Sequence, residues 1–122
     1  MFAVPFLAML RSIAMDLARK KLGLLLSTGA ERPVNLETAV GLSAAALDHG
    51  GAVYLYLIDD GVRALDDARV PALAERGMKL FVCAYGCQKR RIPLRDADRI
   101  TYCGLVVLTD IINGTDRFIA LN

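Results

Sequence analysis

The sequence has few of the residues on which most catalytic and metal sites depend. It contains one histidine and three cysteines, and the cysteines follow no regular spacing. His49 falls at a predicted helix end beside Gly50 and Gly51, where a capping or exposed role is expected, so no Ser-His-Asp arrangement or zinc site is predicted around it. An odd number of cysteines does not suit a secreted disulfide framework. We therefore expect no metal, at least one free thiol and the reducing setting of the cytoplasm.

The sequence also lacks an excess of one charge and a long hydrophobic run. Fifteen Lys and Arg stand against thirteen Asp and Glu, and the formal charge of +2 does not indicate a nucleic-acid surface. The apolar stretch in the first nineteen residues is interrupted by Arg11 and Asp16, is followed by no small-residue cleavage pattern and is too short to cross a bilayer. We expect neither a signal peptide nor a membrane contact.

Phosphate-binding loops are missing as well. The segment STGAERPVN, after the first predicted strand, has one glycine where a dinucleotide fingerprint has three, and it has no GK[ST] motif. The Asp59-Asp60-Gly61 segment fits a metal or acid/base pair, but such residues also form turns because Asp bonds to its own backbone and Gly accepts positive φ. We favour the turn, and no cofactor is predicted.

The chain does have enough apolar material for one hydrophobic core. Its 122 residues are 55% hydrophobic, which is the size and composition of a single globular domain. In residues 1–19, apolar side chains recur at three- and four-residue spacing after Pro5, which predicts an amphipathic helix that packs on the domain or on a neighbouring subunit. These side chains are Phe6, Met9, Leu10, Ile13 and Leu17. Residues 20–122 form the main domain.

In residues 20–122, apolar runs alternate with helical patterns. Continuous apolar runs predict strands that are covered on both faces, as in a parallel sheet. The predicted strands are residues 20–27, 52–58, 79–83, 100–103 and 117–121.

Helical patterns fill the segments between these runs. Asn35 is expected to cap the first helix, and residues 62–76 form a helical stretch broken near Pro71. Residues 85–91 predict one or two helical turns, and residues 104–113 a further helix. The alternation predicts an α/β fold: a three-layer, doubly wound, mostly parallel five-stranded sheet with helices on both faces, plus the N-terminal helix.

Cys83 is the residue on which any chemistry is expected to depend. Reactive groups collect at the carboxyl ends of parallel strands, and Cys83 ends the third strand, ahead of a basic segment that holds Lys89, Arg90 and Arg91. A helix N-terminus and nearby cations favour a thiolate, which is the attacking form. The alternative is a buried structural cysteine, because free cysteine is among the most buried residue types.

The other two cysteines follow at informative positions. Cys87 lies four residues after Cys83, so a redox pair or half of a metal site is conceivable if the segment is helical. Cys103 ends the fourth predicted strand and can approach Cys83, although the role of a small core residue is favoured for it.

Four segments, LLLSTG, ALDHGGAVYLYLIDDGV, KLFVCAYGCQKRRI and TDRFIALN, together resemble the DsrE/DsrF/TusD family of sulfur-relay proteins. The resemblance covers residues 20–122. Its most specific part, VCAYGCQKRRI, is similar to the family's strand-end cysteine followed by a short helix with one or two arginines. The sequence departs from the family at Ile92-Pro93, where a glycine often follows the arginine, and in residues 1–19, which are an added element.

The resemblance implies a small sulfur carrier of the sulfurtransferase type. Cys83 then accepts sulfane sulfur as a persulfide and passes it to a partner thiol, and Cys87 is a second thiol. The implied partners are sulfur donor and acceptor proteins and further copies of the chain, in a trimer or hexamer. Two alternatives stay open: a non-catalytic oligomeric subunit with structural cysteines, and a small-molecule or nucleotide-binding module that uses the Ser27-Thr28-Gly29 and Asp59-Asp60-Gly61 turns.

Overall fold

The strands of the sheet come from the five apolar runs of the sequence. A computed structural model of the chain describes residues 18–122. All five strands are parallel, and their order across the sheet is β4-β3-β2-β1-β5. The strands are β1 (Lys21–Leu26), β2 (Ala52–Leu57), β3 (Lys79–Cys83), β4 (Ile100–Cys103) and β5 (Arg117–Leu121). Each begins and ends within one residue of its predicted bounds, and the doubly wound α/β fold is confirmed.

Helices cover both faces of this sheet because the chain changes direction once. From β1 to β4 the strands are added in one direction, so right-handed crossovers place the intervening helices on one face. The return from β4 to β5 places the last helix on the opposite face. The helices are α1 (Pro33–Asp48), a 3₁₀ helix (Asp59–Asp66), α2 (Arg69–Glu75), α3 (Ala84–Lys89) and α4 (Leu105–Gly114). Within residues 18–122, none of them combines the length and the apolar composition that a membrane span requires.

The core lies between the sheet and the helices that follow β1 and β2. Leu24 of β1 pairs with Leu55 of β2, Leu26 pairs with Leu57, and all four side chains are almost completely buried. Burying a leucine side chain contributes roughly 1.5–3 kcal/mol to folding. A one-residue slip between the strands would move these side chains to the other face, so their burial fixes the register.

The amphipathic helix predicted for residues 1–19 falls, apart from its last two residues, outside the described part of the chain. Ala18 and Arg19 form a turn, and the Arg19 N–H donates to the carbonyl of Gly50 over 3.2 Å. Gly50 precedes β2, so residue 18 lies at the amino-terminal edge of the sheet. Cys83 lies at the opposite, carboxyl-terminal edge.

Two local predictions about helices are wrong. Asn35 does not cap α1, which begins at Pro33; instead, the Asn35 amide donates to the Thr28 hydroxyl over 2.8 Å. The helical stretch after β2 is interrupted at Asp67 and not at Pro71, because Pro71 occupies the first turn of α2, where no N–H donor is required. The part of this stretch before Asp67 is a 3₁₀ helix, and it begins with the Asp59-Asp60-Gly61 residues that were predicted as a turn.

Gly61 allows the 3₁₀ helix to touch the end of β1. A Cβ built on Gly61 would lie 2.7 Å from the carbonyl carbon of Leu26 and would overlap the attached oxygen. The Ile58 N–H donates to the same carbonyl over 3.0 Å, so the backbone of Leu26 cannot move away from Gly61 without losing this hydrogen bond. Any side chain at position 61 would displace the adjacent Val62, which is fully buried.

We expect Gly61→Ala to lower the free energy of unfolding by about 3 kcal/mol or more, because backbone and core must both shift. Gly41→Ala is the matched control. Gly41 lies in the middle of α1, and a Cβ added there would meet nothing within 4 Å beyond its own helix backbone, so the alanine should stabilise the protein by about 0.5–1 kcal/mol. Urea unfolding followed by circular dichroism measures both changes. Equal stability of Gly61→Ala and the wild type would contradict the close approach.

Candidate functional site

The structure brings the three predicted segments together at the carboxyl edge of the sheet. The Ser27-Thr28-Gly29 segment follows β1, Asp59-Asp60-Gly61 follows β2, and Cys83 ends β3. A Cβ built on Gly29 would lie 3.3 Å from the carbonyl oxygen of Asp60. A Cβ built on Gly86, in the helix after Cys83, would lie 3.5 Å from the Asp59 nitrogen. The three segments therefore form one continuous edge.

The polar groups of the segment after β1 are already engaged within the protein. The Thr28 hydroxyl accepts from Asn35, and the Gly29 N–H donates to the Glu31 carboxylate over 2.9 Å. A phosphate group would have to replace this carboxylate and would be repelled by it. The geometry therefore gives no support to a nucleotide-binding loop at this position.

Arg90 is held by the Asp59-Asp60-Gly61 segment. Its Nε donates to the Asp60 carboxylate over 2.8 Å, and its Nη1 donates to the Gly86 carbonyl over 3.2 Å. The hydrogen bond from Arg90 and its positive charge lower the pKa of Asp60. The arginine thus ties the end of α3 to the 3₁₀ helix, and part of its charge is neutralised there.

The remaining basic residues of the segment lie on the surface. Lys89 is the last residue of α3 and is exposed. Arg91 has a φ of 57°, and its N–H donates to the Gln88 carbonyl over 3.1 Å, while the next N–H donates to the Cys87 carbonyl. This is the hydrogen-bond pattern of a Schellman motif, in which glycine is the usual residue. Arg91 therefore terminates α3 through its backbone, and its exposed side chain points away from the interior.

Cys83 is the N-cap residue of α3. Its Sγ accepts a hydrogen bond from the Gly86 N–H over 3.3 Å, and only 6% of the residue is exposed. A backbone N–H directed at a sulfur atom stabilises the thiolate more than the thiol, because the hydrogen bond is then assisted by charge. The structure therefore places the predicted cysteine where a helix N-terminus faces its sulfur.

Cys103 lies directly opposite Cys83. The two residues are register partners at the ends of β3 and β4. In a parallel sheet, paired residues point to the same face, and so do residues two apart. Tyr56 pairs with Phe81, two residues before Cys83, so Tyr56 shares the face of both cysteines. Sequence analysis favoured a core role for Cys103, which packs against the core while the residue stays partly exposed.

Tyr56 is the residue at this site that sequence analysis missed. Its side chain is fully buried, and its hydroxyl donates to the Gly104 carbonyl over 3.0 Å. Burial raises the pKa of Tyr56, and the neighbouring Cys103 and Cys83 sulfurs raise it further, so the phenol stays protonated. A buried tyrosine needs a partner for its hydroxyl, which is the one signal in the sequence that could have drawn attention to it.

The other two thiols differ in their access to solvent. Cys87 is completely buried in α3. Burial raises its pKa, and the negative charge of a Cys83 thiolate raises it further. Burial also raises the pKa of Cys103, but the neighbouring Tyr56 hydroxyl opposes this shift. All three cysteines are free thiols. Cys103 is therefore the more accessible neighbour of Cys83.

The fold, although not the sequence, is similar to that of a known protein. No protein-family model matches the chain, and no curated protein matches it in sequence. The crystal structure of the YchN protein from E. coli superimposes with a TM-score of 0.60 and 18% identity, over 84% of this chain and 98% of YchN. YchN has a DsrE-like fold. At this level of identity, the likeness supports the predicted resemblance in fold alone.

We expect Tyr56→Phe to raise the pKa of Cys103, because it removes the hydroxyl that can turn from the Gly104 carbonyl to a Cys103 thiolate. The loss of one such hydrogen bond is worth on the order of 1 kcal/mol, so alkylation of Cys103 by iodoacetamide should slow about three- to tenfold at a fixed neutral pH. Peptide mass mapping over a series of pH values measures the rate. Tyr54→Phe, two residues earlier on β2, is the matched control and should leave the rate unchanged. An unaltered profile in Tyr56→Phe would show that the hydroxyl does not act on Cys103.

Proposed function

We propose that this protein is a sulfur carrier that accepts sulfane sulfur on Cys83 as a persulfide and passes it to a partner thiol. The observation that carries the proposal is the position of Cys83, a free thiol at the carboxyl edge of a parallel sheet with the Gly86 N–H directed at its sulfur. The DsrE-like fold and the sequence resemblance support the same activity. The protein would act as a sulfurtransferase-type carrier without a cofactor.

Two thiol exchange steps make up this activity. The Cys83 thiolate attacks the outer sulfur of a donor persulfide, the donor's S–S bond breaks, and the donor leaves as a thiolate. The acceptor's thiolate then attacks the outer sulfur on Cys83, and Cys83 leaves as a thiolate. Gly86 can donate its hydrogen bond to Cys83 whenever the sulfur carries negative charge, at the start and at the end of the cycle.

Partner proteins have an exposed aromatic residue available beside Cys83. Tyr85 follows Cys83 by two residues and is 68% exposed. An exposed aromatic side chain next to a reactive group favours docking of another protein. We infer that sulfur donor and acceptor proteins bind here, in the cytoplasm, where thiols remain reduced.

The outward face of α4 also suggests association between copies of the chain. Leu105, Val106 and Ile112 lie on it, and each is at least 46% exposed. On the same side of the sheet, Tyr54 and Phe81 stack with ring centroids 6.5 Å apart and are only half-buried. Several exposed apolar side chains on one surface are typical of subunit interfaces. We propose that the chain forms a homo-oligomer, a trimer or hexamer, through this face.

A second candidate function follows from the low exposure of Cys83. With 6% of the residue accessible, the thiol reacts with a protein donor only if its surroundings move. A non-catalytic subunit of a larger assembly, with structural cysteines, would need no such movement. Reactivity of Cys83 toward a sulfane donor separates the two functions.

We expect the wild-type protein to gain one sulfur atom, about 32 Da, after incubation with a sulfane-sulfur donor and brief sampling. The gain should disappear on reduction and should be absent from Cys83→Ser. Cys87→Ser, which removes a fully buried thiol, is the matched control and should gain the same mass. Intact-mass spectrometry measures each form. A gain that persists in Cys83→Ser, or no gain in the wild type, Cys87→Ser and Cys103→Ser alike, would favour the non-catalytic subunit.

We expect Val106→Asp to weaken self-association about tenfold or more, because it places a charge in the proposed interface. Light scattering coupled to size-exclusion chromatography, over a range of protein concentrations, measures the change. Val34→Asp is the matched control, since Val34 is 66% exposed in the first turn of α1, on the opposite face of the sheet. If both variants associate like the wild type, α4 is not the interface.

A further inference from the structure

Cys83 and Cys103 have the geometry of a dithiol pair. They are register partners at the last positions of β3 and β4, so the pairing of the two strands ends at these residues. Neighbouring strands lie about 4.7–4.9 Å apart, and disulfides join residues whose Cα atoms are about 4.4–6.8 Å apart. Both side chains also point to the face of the sheet that carries α4. The expected separation of the two backbones therefore falls within the range that a disulfide spans.

Tyr56 connects the two sulfurs further. Its hydroxyl is close enough to both for their charges to raise its pKa, with Cys103 contributing more than Cys83. The Tyr56 side chain is fully buried, one strand from Cys83 and two strands from Cys103, on the face to which both cysteines point.

Cys87 is less suited to pair with Cys83. It is completely buried within α3, whereas Cys103 is partly exposed. Cys87 lies in the interior of α3 and its carbonyl accepts the Ile92 N–H at the end of the helix, so movement of its backbone would disrupt that terminus. Closing a Cys83–Cys87 bond would require rearrangement of α3, and closing a Cys83–Cys103 bond would not.

We propose that Cys103 is the resolving thiol of this site and that Cys83 and Cys103 close to a disulfide. On the sulfur-carrier function proposed above, the Cys103 sulfur attacks the inner sulfur of the Cys83 persulfide. The Cys83–Cys103 bond forms, the bond to the outer sulfur breaks, and that sulfur leaves as hydrosulfide with the proton of the Cys103 thiol. Cys103 is oxidised and the outer sulfur is reduced. An external dithiol then returns both cysteines to thiols by disulfide exchange.

This step gives the loaded protein a second outcome besides transfer to an acceptor. A persulfide that meets no acceptor thiol would be converted to hydrosulfide and a protein disulfide. The carrier would then discharge its sulfur in reduced form and would remain oxidised until a dithiol reached the edge of the sheet. Cys103 would therefore limit the lifetime of the loaded state.

The first experiment tests the pair without any sulfur donor. Reduced protein is treated with diamide, which takes up two electrons and two protons as two thiols become a disulfide, a loss of about 2 Da. We expect peptide mapping to find Cys83 linked to Cys103 in the wild type and in Cys87→Ser, and no intramolecular disulfide in Cys103→Ser or Cys103→Ala. A Cys83–Cys87 bond as the main product, or no disulfide at all in folded protein, would overturn the proposal.

The second experiment follows the loaded state. The protein is persulfidated with a sulfane-sulfur donor, freed of excess donor, and sampled over time by intact mass and by a sulfide assay. We expect the wild type to lose the added sulfur at least about tenfold faster than Cys103→Ser, with release of one hydrosulfide and formation of the disulfide. Equal lifetimes would show that Cys103 does not resolve the persulfide. If diamide forms the Cys83–Cys103 disulfide but no persulfide can be detected, the sulfur-carrier function is contradicted and the dithiol pair is retained.

Discussion

The arrangement of the cysteines at the carboxyl edge of the sheet depends on the parallel hydrogen-bond register that joins β2, β3 and β4. Parallel strands all end at one edge, and each helix that follows begins there, so thiols and helix N-termini are brought together. The register is held by side chains of the opposite face, where Leu80 and Val82 of β3 are buried in the core. A shift of one residue would expose these side chains and would place the Cys83 sulfur on the other face of the sheet. Core packing on one side therefore aligns the thiols on the other.

The chemistry of this edge follows from its limited capacity for negative charge. Burial raises the pKa of Cys87, Cys103 and Tyr56, and a thiolate at Cys83 raises it further, because charges of the same sign repel in a poorly hydrated site. Donors are placed for either sulfur, because the Gly86 N–H donates to Cys83 and the Tyr56 hydroxyl lies beside Cys103. Such an arrangement suits two thiols that act in turn, because a charge on one disfavours a charge on the other.

Local patterns were sufficient to predict the strands and the strand-end position of Cys83. Each strand is a largely apolar run, and pairing within the sheet buries most of the three central ones, β1, β2 and β3, while β4 and β5 at the edges stay more exposed. Asn35 and Pro71 were misjudged because their roles depend on the tertiary contacts of Thr28 and on where α2 begins. A local preference for a cap or a helix break is therefore overridden by where the neighbouring helix begins.

The grouping of Tyr56 with Cys83 and Cys103 could not be predicted in this way. These residues are far apart in the chain, and they meet only because β2, β3 and β4 are neighbours in a particular register. Sequence periodicity gives the face on which each residue of a strand lies, but it does not give the residue opposite it on the next strand. The basic residues illustrate the same limit, since Arg90 is paired with Asp60 across thirty positions of the chain.

The position of Cys103 also bears on how a sulfur carrier of this design would reach its acceptor. A thiol fixed on the adjacent strand competes with any thiol in solution, because its effective concentration is far higher. Transfer to an acceptor therefore requires that docking either outpaces Cys103 or restrains it. Gly104 links Cys103 to the exposed Leu105 and Val106, and its carbonyl accepts the Tyr56 hydroxyl. A second copy of the chain that binds this apolar surface would act directly on the residue next to Cys103, so self-association and the choice between transfer and hydrosulfide release would be coupled through one short segment of backbone.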